Sequence, residues 1–575
     1  MKLLDSRRLT GPSLLCERPG AIIDVSFASL DPAGSTANAA LDAWQRHARF
    51  LLEAVGWSGE QTFTRLWPGG ASLAITAPAD ALYAATELND RAWEAAVAEV
   101  GDSTSGIQGD GLVLEDVAAA LRQEIEAESN PALLALRAAA DERKVAFLMD
   151  DAQVSLGLGT GSHSWPIDDV PGPGEVDWDT VSDIPVALVT GTNGKTTTVR
   201  LLAAIAKAAG LVAGNTSTDG VQVGGEIVLA GDYTGPEGAR TLLRDRRVEL
   251  AVLEVARGGM LRRGLPVSRA DAALVTNVAP DHLGEYGIHD VESLADAKMV
   301  VARALRPDSR LVLNADDPVI VSRAAGAPCP VTWIAAEPGS APAAATDVWL
   351  VEDGNFVHSE RQTEALVGVD EVPITFGGAA RFNVYNVLGA IALARALHLP
   401  DAAIRAGLLG FAPTSEQNVG RVNVFELGGA RAIIDFAHNP HGLESVLEMV
   451  RFLAPSRWLV TVGQAGDRSD EEIRELARLA WAAGPDYVIV KELPKKLRGR
   501  ELGEVPRLIE EELRRRGAPA AAIEYAESDF DAVQKALAWA QEGDLLLLLL
   551  HEDRTESLGL LRDLRERGWA PGAPL

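Results

Sequence analysis

The sequence predicts an α/β protein of three domains: an N-terminal α+β domain, a central domain with a mostly parallel sheet, and a C-terminal Rossmann-like α/β domain. Three observations carry that expectation. The chain has 575 residues, more than one hydrophobic core serves, and its length suggests roughly three to four domains. From Val186 onward, apolar runs that end in polar residues alternate with helical stretches, as in VALVTG, VELAVLEVARGG, AALVTNVAPDH and RLVLNADDP. Runs of this kind are typical of parallel strands buried on both faces, whose C-terminal ends carry ligand sites. The first of them leads through a glycine turn directly into a helix, VALVTGTNGKTTTVR over 186–200.

Taken in order, residues 1–165 hold a strand-like AIIDVSF, a helical LDAWQRHARFLLEAVG and a second long helix through EDVAAALRQEIEAESNPALLALRAAADERK. Residues 166–184, rich in Pro, Gly and Asp without sustained periodicity, form the best linker in the chain. The central domain spans 185–413; its strand-turn-helix units are followed by AAEPGSAPAAATD, a hairpin-like VWLVEDGNFVHSE and the helix NVYNVLGAIALARAL. The C-terminal domain, 414–575, starts with VNVFELGGARAIIDFA and continues through RWLVTVGQAG, DYVIVKEL and DLLLLLLHE with helices between. No repeat of solenoid period is present.

Composition removes several function classes. Net charge is −29, from 82 acidic against 53 basic residues, so the surface repels phosphate backbones and anionic lipid, and neither nucleic acid nor membrane is an expected partner. Only Cys16 and Cys329 are present, which offers neither a disulfide framework nor a zinc cluster. The start MKLLDSRRLTG has no apolar leader segment, and the aliphatic run Leu545–Leu550 is far too short to span a bilayer, so a cytoplasmic, soluble protein is expected.

The 186–200 stretch departs from the common phosphate-loop pattern G-x-x-x-x-G-K-[ST], because five positions before Gly194 stands Val189 and the glycine comes later, at Gly191. Its physics is nonetheless that of a P-loop ATPase domain. Gly191 and Gly194 allow a tight turn in which the amides of Thr192, Asn193 and their neighbours face phosphate oxygens, while the following helix presents its positive end. Lys195 can reach the β- and γ-phosphates, the Thr196 hydroxyl can ligate Mg²⁺, and Thr197 completes the helix start. A purely structural strand-to-helix turn is the competing reading.

The string T-G-T-N-G-K-T-T resembles the loop of the Mur ligase superfamily, and further matches follow in the same order along the chain. LEVARGGMLRRGL puts Glu254 where that family keeps a magnesium-binding glutamate. TNVAPDHLGEYG puts His282 at its second metal position, and DAKMV puts Lys298 where many members carry a carbamylated lysine. Asn314 in LNADDP, with Asp435 and His438 in IIDFAHNPHG, resembles the adenine and ribose contacts; Arg421 in GRVNVFE resembles an arginine that reaches the γ-phosphate from the C-terminal domain. Within the superfamily the resemblance is nearest to the cyanophycin synthetases. It rests on ARGGMLRRGL, AHNPHG, GDRSDEEI and LRGRELGE, and on SRRLTGPSLL and LYAATELND near the N-terminus. Those synthetases place an ATP-grasp domain between the N-terminal unit and the Mur-like half, whereas here VSLGLGTGSHSWPI runs through the linker into the phosphate loop.

The resemblance implies ATP-dependent amide formation through an acyl phosphate, with ATP and Mg²⁺ bound. The acceptor would be an acidic peptide-like molecule or polymer and the partner an amino acid or amine, with closure of the domain that carries Arg421. Other readings stay open for single residues: a buried structural carboxylate for Glu254, a helix-start histidine for His282, a turn residue for Asn314, and capping for Asp435 and His438. Asn383 and Asn386 resemble a helix-start motif of the family, with Phe382 in place of its histidine. Asp467, Arg468, Arg498 and Arg500 are candidates for contacting the amine substrate, or else solvated charges. The N-terminal segment before the linker offers only His47 and His163, so docking or assembly suits it better than a hydrolytic zinc centre. Two further functions remain alternatives, a nucleotide-binding scaffold and a folylpolyglutamate-type glutamate ligase; association into a homo-oligomer stays open.

Overall fold

A computed structural model describes residues 1–27, 35–105, 114–337, 339–359 and 365–575. The chain divides into two compact units, the first made of Met1–Ala335, Gly339–Trp349 and Gly389–Ile404, the second of Ala336–Pro338, Leu350–Leu388 and Arg405–Leu575. Pro338 and Glu360, within two segments singled out above, lie outside the described residues.

The first unit opens with β1 (Lys2–Leu9), β2 (Gly20–Ser26), α1 (Ser35–Ala54), β3 (Thr62–Trp67), β4 (Gly70–Thr76), α2 (Leu82–Ser105), α3 (Leu114–Glu128) and α4 (Pro131–Arg143). The four strands form an antiparallel sheet in the order β1-β2-β4-β3. One face of that sheet and helices α1, α2 and α3 share a core around Trp44, Leu73, Leu88 and Leu121. The single long helix expected over 115–144 is two helices. Pro131 lacks an N–H and disfavours helical geometry in the residue before it, so α3 stops and α4 starts anew with the Asn130 side chain accepting from Leu133 N at 3.1 Å. A small antiparallel sheet follows, β5 (Phe147–Met149), β6 (Gln153–Leu156) and β7 (His163–Pro166). The segment 166–184 packs back onto it, with Val170, Val176 and Trp178 lying against Leu133, Leu136 and Leu156.

The rest of the first unit is built on β8 (Val186–Thr190), α5 (Lys195–Ala208), β9 (Ala213–Ser217), β10 (Gly220–Val223), β11 (Glu226–Ala230), α6 (Pro236–Leu243), β12 (Leu250–Glu254), α7 (Arg257–Arg263), β13 (Ala270–Val275), α8 (Val291–Met299), β14 (Leu305–Asn314), α9 (Pro318–Val321) and β15 (Val331–Ala335). Its strands run β11-β10-β9-β12-β8-β13-β14-β15. The β9-β12-β8-β13-β14-β15 stretch is parallel, and β10 and β11 are added antiparallel at one side. β8 and β12 are buried at every position, as their unbroken apolar runs require. The C-terminal ends of β8, β12 and β13 lie side by side, with Glu254 in register with Val189 and Val275 with Thr190. One sheet edge therefore gathers the glycine loop, Glu254 and the loop after Val275.

The chain leaves the first unit within β16 (Val348–Glu352), and the second unit contains the antiparallel pair β17 (Asn355–His358) and β18 (Val367–Gly368). Helix α10 (Arg381–Ala396) carries the chain back to the first unit and α11 (Asp401–Leu409) out again. A six-stranded sheet follows, from β19 (Asn423–Leu427), β20 (Ala430–Asp435), α12 (Pro440–Leu453), β21 (Trp458–Val462), α13 (Asp470–Ala482), β22 (Tyr487–Lys491), α14 (Glu504–Arg515), β23 (Ile523–Ala526), α15 (Asp529–Trp539), β24 (Leu545–Leu549) and α16 (Arg554–Glu566). Its order is β19-β20-β24-β21-β22-β23, parallel except for the β19–β20 hairpin. Apolar cores lie on both of its faces, around Leu447 and Leu547 on one and Leu537 and Leu548 on the other, so the LLLLL of β24 is buried throughout. No helix among the described residues is long and apolar enough to cross a membrane.

Candidate functional site

The glycines of the 190–197 loop hold backbone angles that side chains oppose: φ is +148° at Gly191 and +86° at Gly194. At Gly191 a Cβ would stand 1.8 Å from Thr276 Oγ1, so the loop lies directly on the segment after β13. That segment pins it through several bonds. Thr192 N donates to Asn277 O (2.9 Å), Asn193 N donates to Asn277 Oδ1 (3.0 Å), and Asn193 O accepts from Thr276 Oγ1 (2.6 Å) and Asn277 Nδ2 (3.0 Å). Gly194 is the N-cap of α5 and supplies no side-chain cap, which leaves the positive helix end to an anion. Lys195 Nζ donates to the carbonyls of Gly191 (3.1 Å) and Thr192 (2.9 Å), folded over the loop it belongs to, and Thr197 is buried in the first helical turn.

Thr196 Oγ1 donates to Glu254 Oε2 at 2.8 Å, joining the first turn of α5 to the end of β12. Glu254 is 2% exposed. A hydroxyl and a carboxylate at this spacing are hard oxygen donors that suit Mg²⁺, which keeps several waters and needs few protein ligands. Among the described residues no group of three His, Cys, Asp or Glu side chains is arranged to hold a metal. His282 does not start a helix: its φ is +50°, and α8 begins only after Asp290, which caps it. The His282 carbonyl accepts from Arg257 Nη1 at 2.6 Å, and its Nε2 stands 4.0 Å from Asp281 Oδ1. Lys298, 4% exposed in the last turn of α8, has its ammonium held well below the usual lysine range, first by burial, then by the charge of Lys195 and of Arg257, against the pull of Asp281. Thus Lys195, Thr196, Glu254, Asp281, His282 and Lys298 are gathered at one sheet edge.

Asn314 makes the bonds of a turn residue: Nδ2 donates to Thr276 O (3.1 Å) and Oδ1 accepts from Asp316 N (3.0 Å). In the second unit, Asp435 ends β20 and accepts from Val422 N (3.0 Å) and Ala437 N (2.8 Å). Burial raises its carboxyl above the ordinary value, and Arg421 opposes the shift. Arg421 lies over the Phe436 ring at 4.3 Å, and the His438 ring is 5.1 Å from the same ring. Asn383 Nδ2 donates to Ile374 O at 2.8 Å, and Asn386 Nδ2 to Asn383 Oδ1 at 3.0 Å. Two loops bring the other charged candidates together: Arg498 pairs with Asp467, and Arg500 donates to the carbonyls of Gly466 (3.0 Å) and Arg468 (2.8 Å).

Three features escaped the sequence reading. Asn277 fixes the glycine loop, and its position directly after the strand AALVT was the available signal. Arg257 braces the His282 backbone and pairs with Glu285. In the second unit Lys491 and Asp529, both fully buried, form an ion pair, with His551 Nδ1 3.2 Å from Lys491 Nζ; these residues are far apart in sequence and carry no motif.

Two family models match the chain, the Mur ligase middle domain over residues 189–394 and the Mur ligase glutamate ligase domain over 420–549. A cyanophycin synthetase of Trichormus variabilis is 39% identical over 378 residues, covering 64% of this chain and 41% of that protein, so the chain spans about two fifths of the length of such relatives. The UDP-N-acetylmuramoyl-L-alanyl-D-glutamate--2,6-diaminopimelate ligase of Listeria monocytogenes is 30% identical over 385 residues, covering 64% of this chain and 73% of that enzyme. Among solved structures, E. coli FolC in complex with DHPP and ADP aligns with a TM-score of 0.50 at 23% identity, over 67% of this chain and 89% of that one, a likeness of fold. With both family models matched in order and the glycine loop, Glu254 and His282 on one sheet edge, the chain belongs to the Mur ligase family.

Proposed function

We propose that this chain is an ATP-dependent acid–amino-acid ligase acting in the cytoplasm. The single observation that carries the reading is the Thr196–Glu254 contact directly behind the glycine loop. It sets a hydroxyl and a carboxylate where the terminal phosphates of ATP would meet a divalent ion. The reaction joins a carboxylic acid to an amine. An acceptor carboxylate oxygen attacks the γ-phosphorus and ADP leaves; the amine nitrogen then attacks the acyl carbon, phosphate leaves and the amine loses a proton. Mg²⁺, held by Thr196, Glu254 and His282, would neutralise phosphate charge when bound.

The chain's own groups do the rest. The loop amides of Gly191, Thr192, Asn193 and Gly194, with Thr197, seat the phosphates, and Lys195 exchanges its carbonyl partners for phosphate oxygens. Asn314, Asp435 and His438 are assigned to the nucleoside and Arg421 to the γ-phosphate. Lys298, disfavoured as an ammonium, is assigned a carbamate: its neutral nitrogen attacks CO₂ and loses a proton, leaving an anion to balance Lys195 and Arg257. The acceptor is an acidic peptide or polymer and the incoming group an amino acid or amine. Division into parts at 1–165, 166–184, 185–413 and 414–575 belongs to the same proposal.

Phosphate release, measured with panels of amino acids against aspartate-containing peptides, glutamate polymers and cell-wall precursors, tests it. Release that requires both an acid and an amine, and that disappears in Lys195→Ala, is the expected result. ATP binding without any turnover would favour a scaffold, and turnover with folates alone a folylpolyglutamate-type ligase.

A further inference from the structure

The loop 281–289, which carries His282, is built from conformations that do not hold themselves. His282, Gly284, Tyr286 and Gly287 all have positive φ (+50°, +97°, +53° and +68°), and non-glycine residues there cost free energy unless their surroundings enforce them. Inside the loop, Gly284 N donates to Ile288 O at 2.7 Å and Ile288 N to Glu285 O at 3.0 Å. From outside, Arg257 at the start of α7 donates to the His282 carbonyl and pairs with Glu285, and further grips come from the N-terminal sheet. Arg65 on β3 donates from Nη1 to Gly287 O at 3.0 Å. The Trp67 ring lies 5.1 Å from the His289 ring and fills the space at Gly287, where a Cβ would stand 2.4 Å from Trp67 Cδ1. Arg7 on β1, 7% exposed, stacks over the Tyr286 ring at 4.9 Å.

Arg7 also reaches the neighbouring element. Its Nε donates to Leu261 O at 3.0 Å, near the end of α7, the helix whose first residue, Arg257, holds the His282 carbonyl. Arg7 is itself fixed by Asp24 at 2.6 Å, Asp24 accepts from Ser72 Oγ at 2.5 Å, and Ser72 accepts from Trp67 Nε1 at 3.3 Å. One hydrogen-bonded chain across the N-terminal sheet therefore ends on both supports of His282.

We infer that the N-terminal sheet is a positioning element of the ligase site, in which Arg65, Trp67 and Arg7 hold the loop 281–289 so that His282 is presented for the divalent ion. This deepens the proposed function and rests on its assignment of His282. Arg65, Trp67 and Arg7 are positioning residues: they act on the site only through the loop.

The test uses the full chain and two readouts: hydrogen–deuterium exchange of peptides covering 281–289, and calorimetric binding of a non-hydrolysable ATP analogue as Mn²⁺ is titrated. Arg65→Ala and Trp67→Leu are expected to speed exchange in the loop and to raise the Mn²⁺ concentration for half-maximal binding about 10-fold, as loss of a partner supporting a metal ligand does. Arg65→Lys restores both, since one donor serves the Gly287 carbonyl. Arg46→Ala, which removes an exposed ion pair with Glu99 in the same N-terminal region, changes neither. Loop exchange and Mn²⁺ requirement that stay at wild-type values in both Arg65→Ala and Trp67→Leu would overturn the inference. If the wild-type chain takes up no nucleotide with Mn²⁺, the proposed function fails, while the exchange measurement still decides whether the sheet holds the loop.

Discussion

The Thr196 hydroxyl sits 2.8 Å from the Glu254 carboxylate, linking the first turn after the glycine loop to the end of the neighbouring strand. Thr196→Ala leaves that buried carboxylate short of a donor and is expected to cost about 1–3 kcal/mol in denaturant unfolding, whereas Thr196→Ser costs far less. Glu254→Gln keeps the shape and removes the charge. Calorimetry should then show nucleotide binding that no longer strengthens when Mg²⁺ is added.

Asn277 holds the loop from outside by two bonds to Asn193, one donated and one accepted. Asn277→Ala should lower stability by about 1–3 kcal/mol and weaken nucleotide binding as well, because the amide groups lose their common orientation. An ATP-analogue titration with unchanged affinity would show that the loop keeps its shape without this brace.

Gly191→Ala meets two obstacles, a φ of +148° and a contact of 1.8 Å with Thr276 Oγ1. Loss of nucleotide binding is expected even in chains that still fold. Pairing it with Thr276→Ala should recover only a small part of the loss, since the contact is relieved while the backbone angle remains unfavourable and the Thr276–Asn193 bond is removed.

Lys298 is a buried amine whose ammonium is disfavoured, first by burial and then by Lys195. Exposure to ¹³C-bicarbonate should give a carbamate carbon signal in NMR that is absent from Lys298→Met. The sign for stability also follows. The folded-state pKa is depressed, so the unfolded chain binds the extra proton in the window below the ordinary lysine value, and the penalty on the uncarbamylated fold shrinks as pH rises through it. In CO₂-free buffer Lys298→Met should therefore raise the melting temperature at neutral pH, and it should abolish phosphate release.

Acidification should weaken the second unit through Asp529 and His551. Burial alone would raise the Asp529 carboxyl, but Lys491 and then His551 hold it down to about 2. Its folded value is depressed, so its contribution is present above about pH 4 and lost as pH falls toward 2, roughly 2 kcal/mol in all. His551 lies well below the ordinary histidine range, through burial and then Lys491, so the unfolded state gains a proton first and stability falls from about pH 6.5 downward. Circular dichroism against pH should show both stages, and His551→Gln should remove the earlier one.

Much of the candidate site was legible because its elements are local in sequence. A glycine loop needs its strand, turn and helix consecutively, and the strands that carry Glu254 and Asp435 announce themselves as apolar runs ending in a carboxylate. Pro131 was also visible, yet the helical periodicity on either side of it masked the break. Arg257 and the Lys491–Asp529 pair were not legible, and Asn277 showed only its place after a strand, since single polar residues acquire meaning only from the partner that folding brings to them.

By itself the sequence determined that a glycine loop opens a parallel α/β sheet and that carboxylate, imidazole and amine follow it in a fixed order, because backbone conformation and strand burial are written in neighbouring residues. Only the tertiary structure decided that Thr196 meets Glu254, that Asn277 fixes the loop, and that residues of the first 70 positions grip the segment carrying His282. Hydrogen bonds between side chains and distant backbone leave no periodicity in the chain, so they appear once the strands are laid side by side.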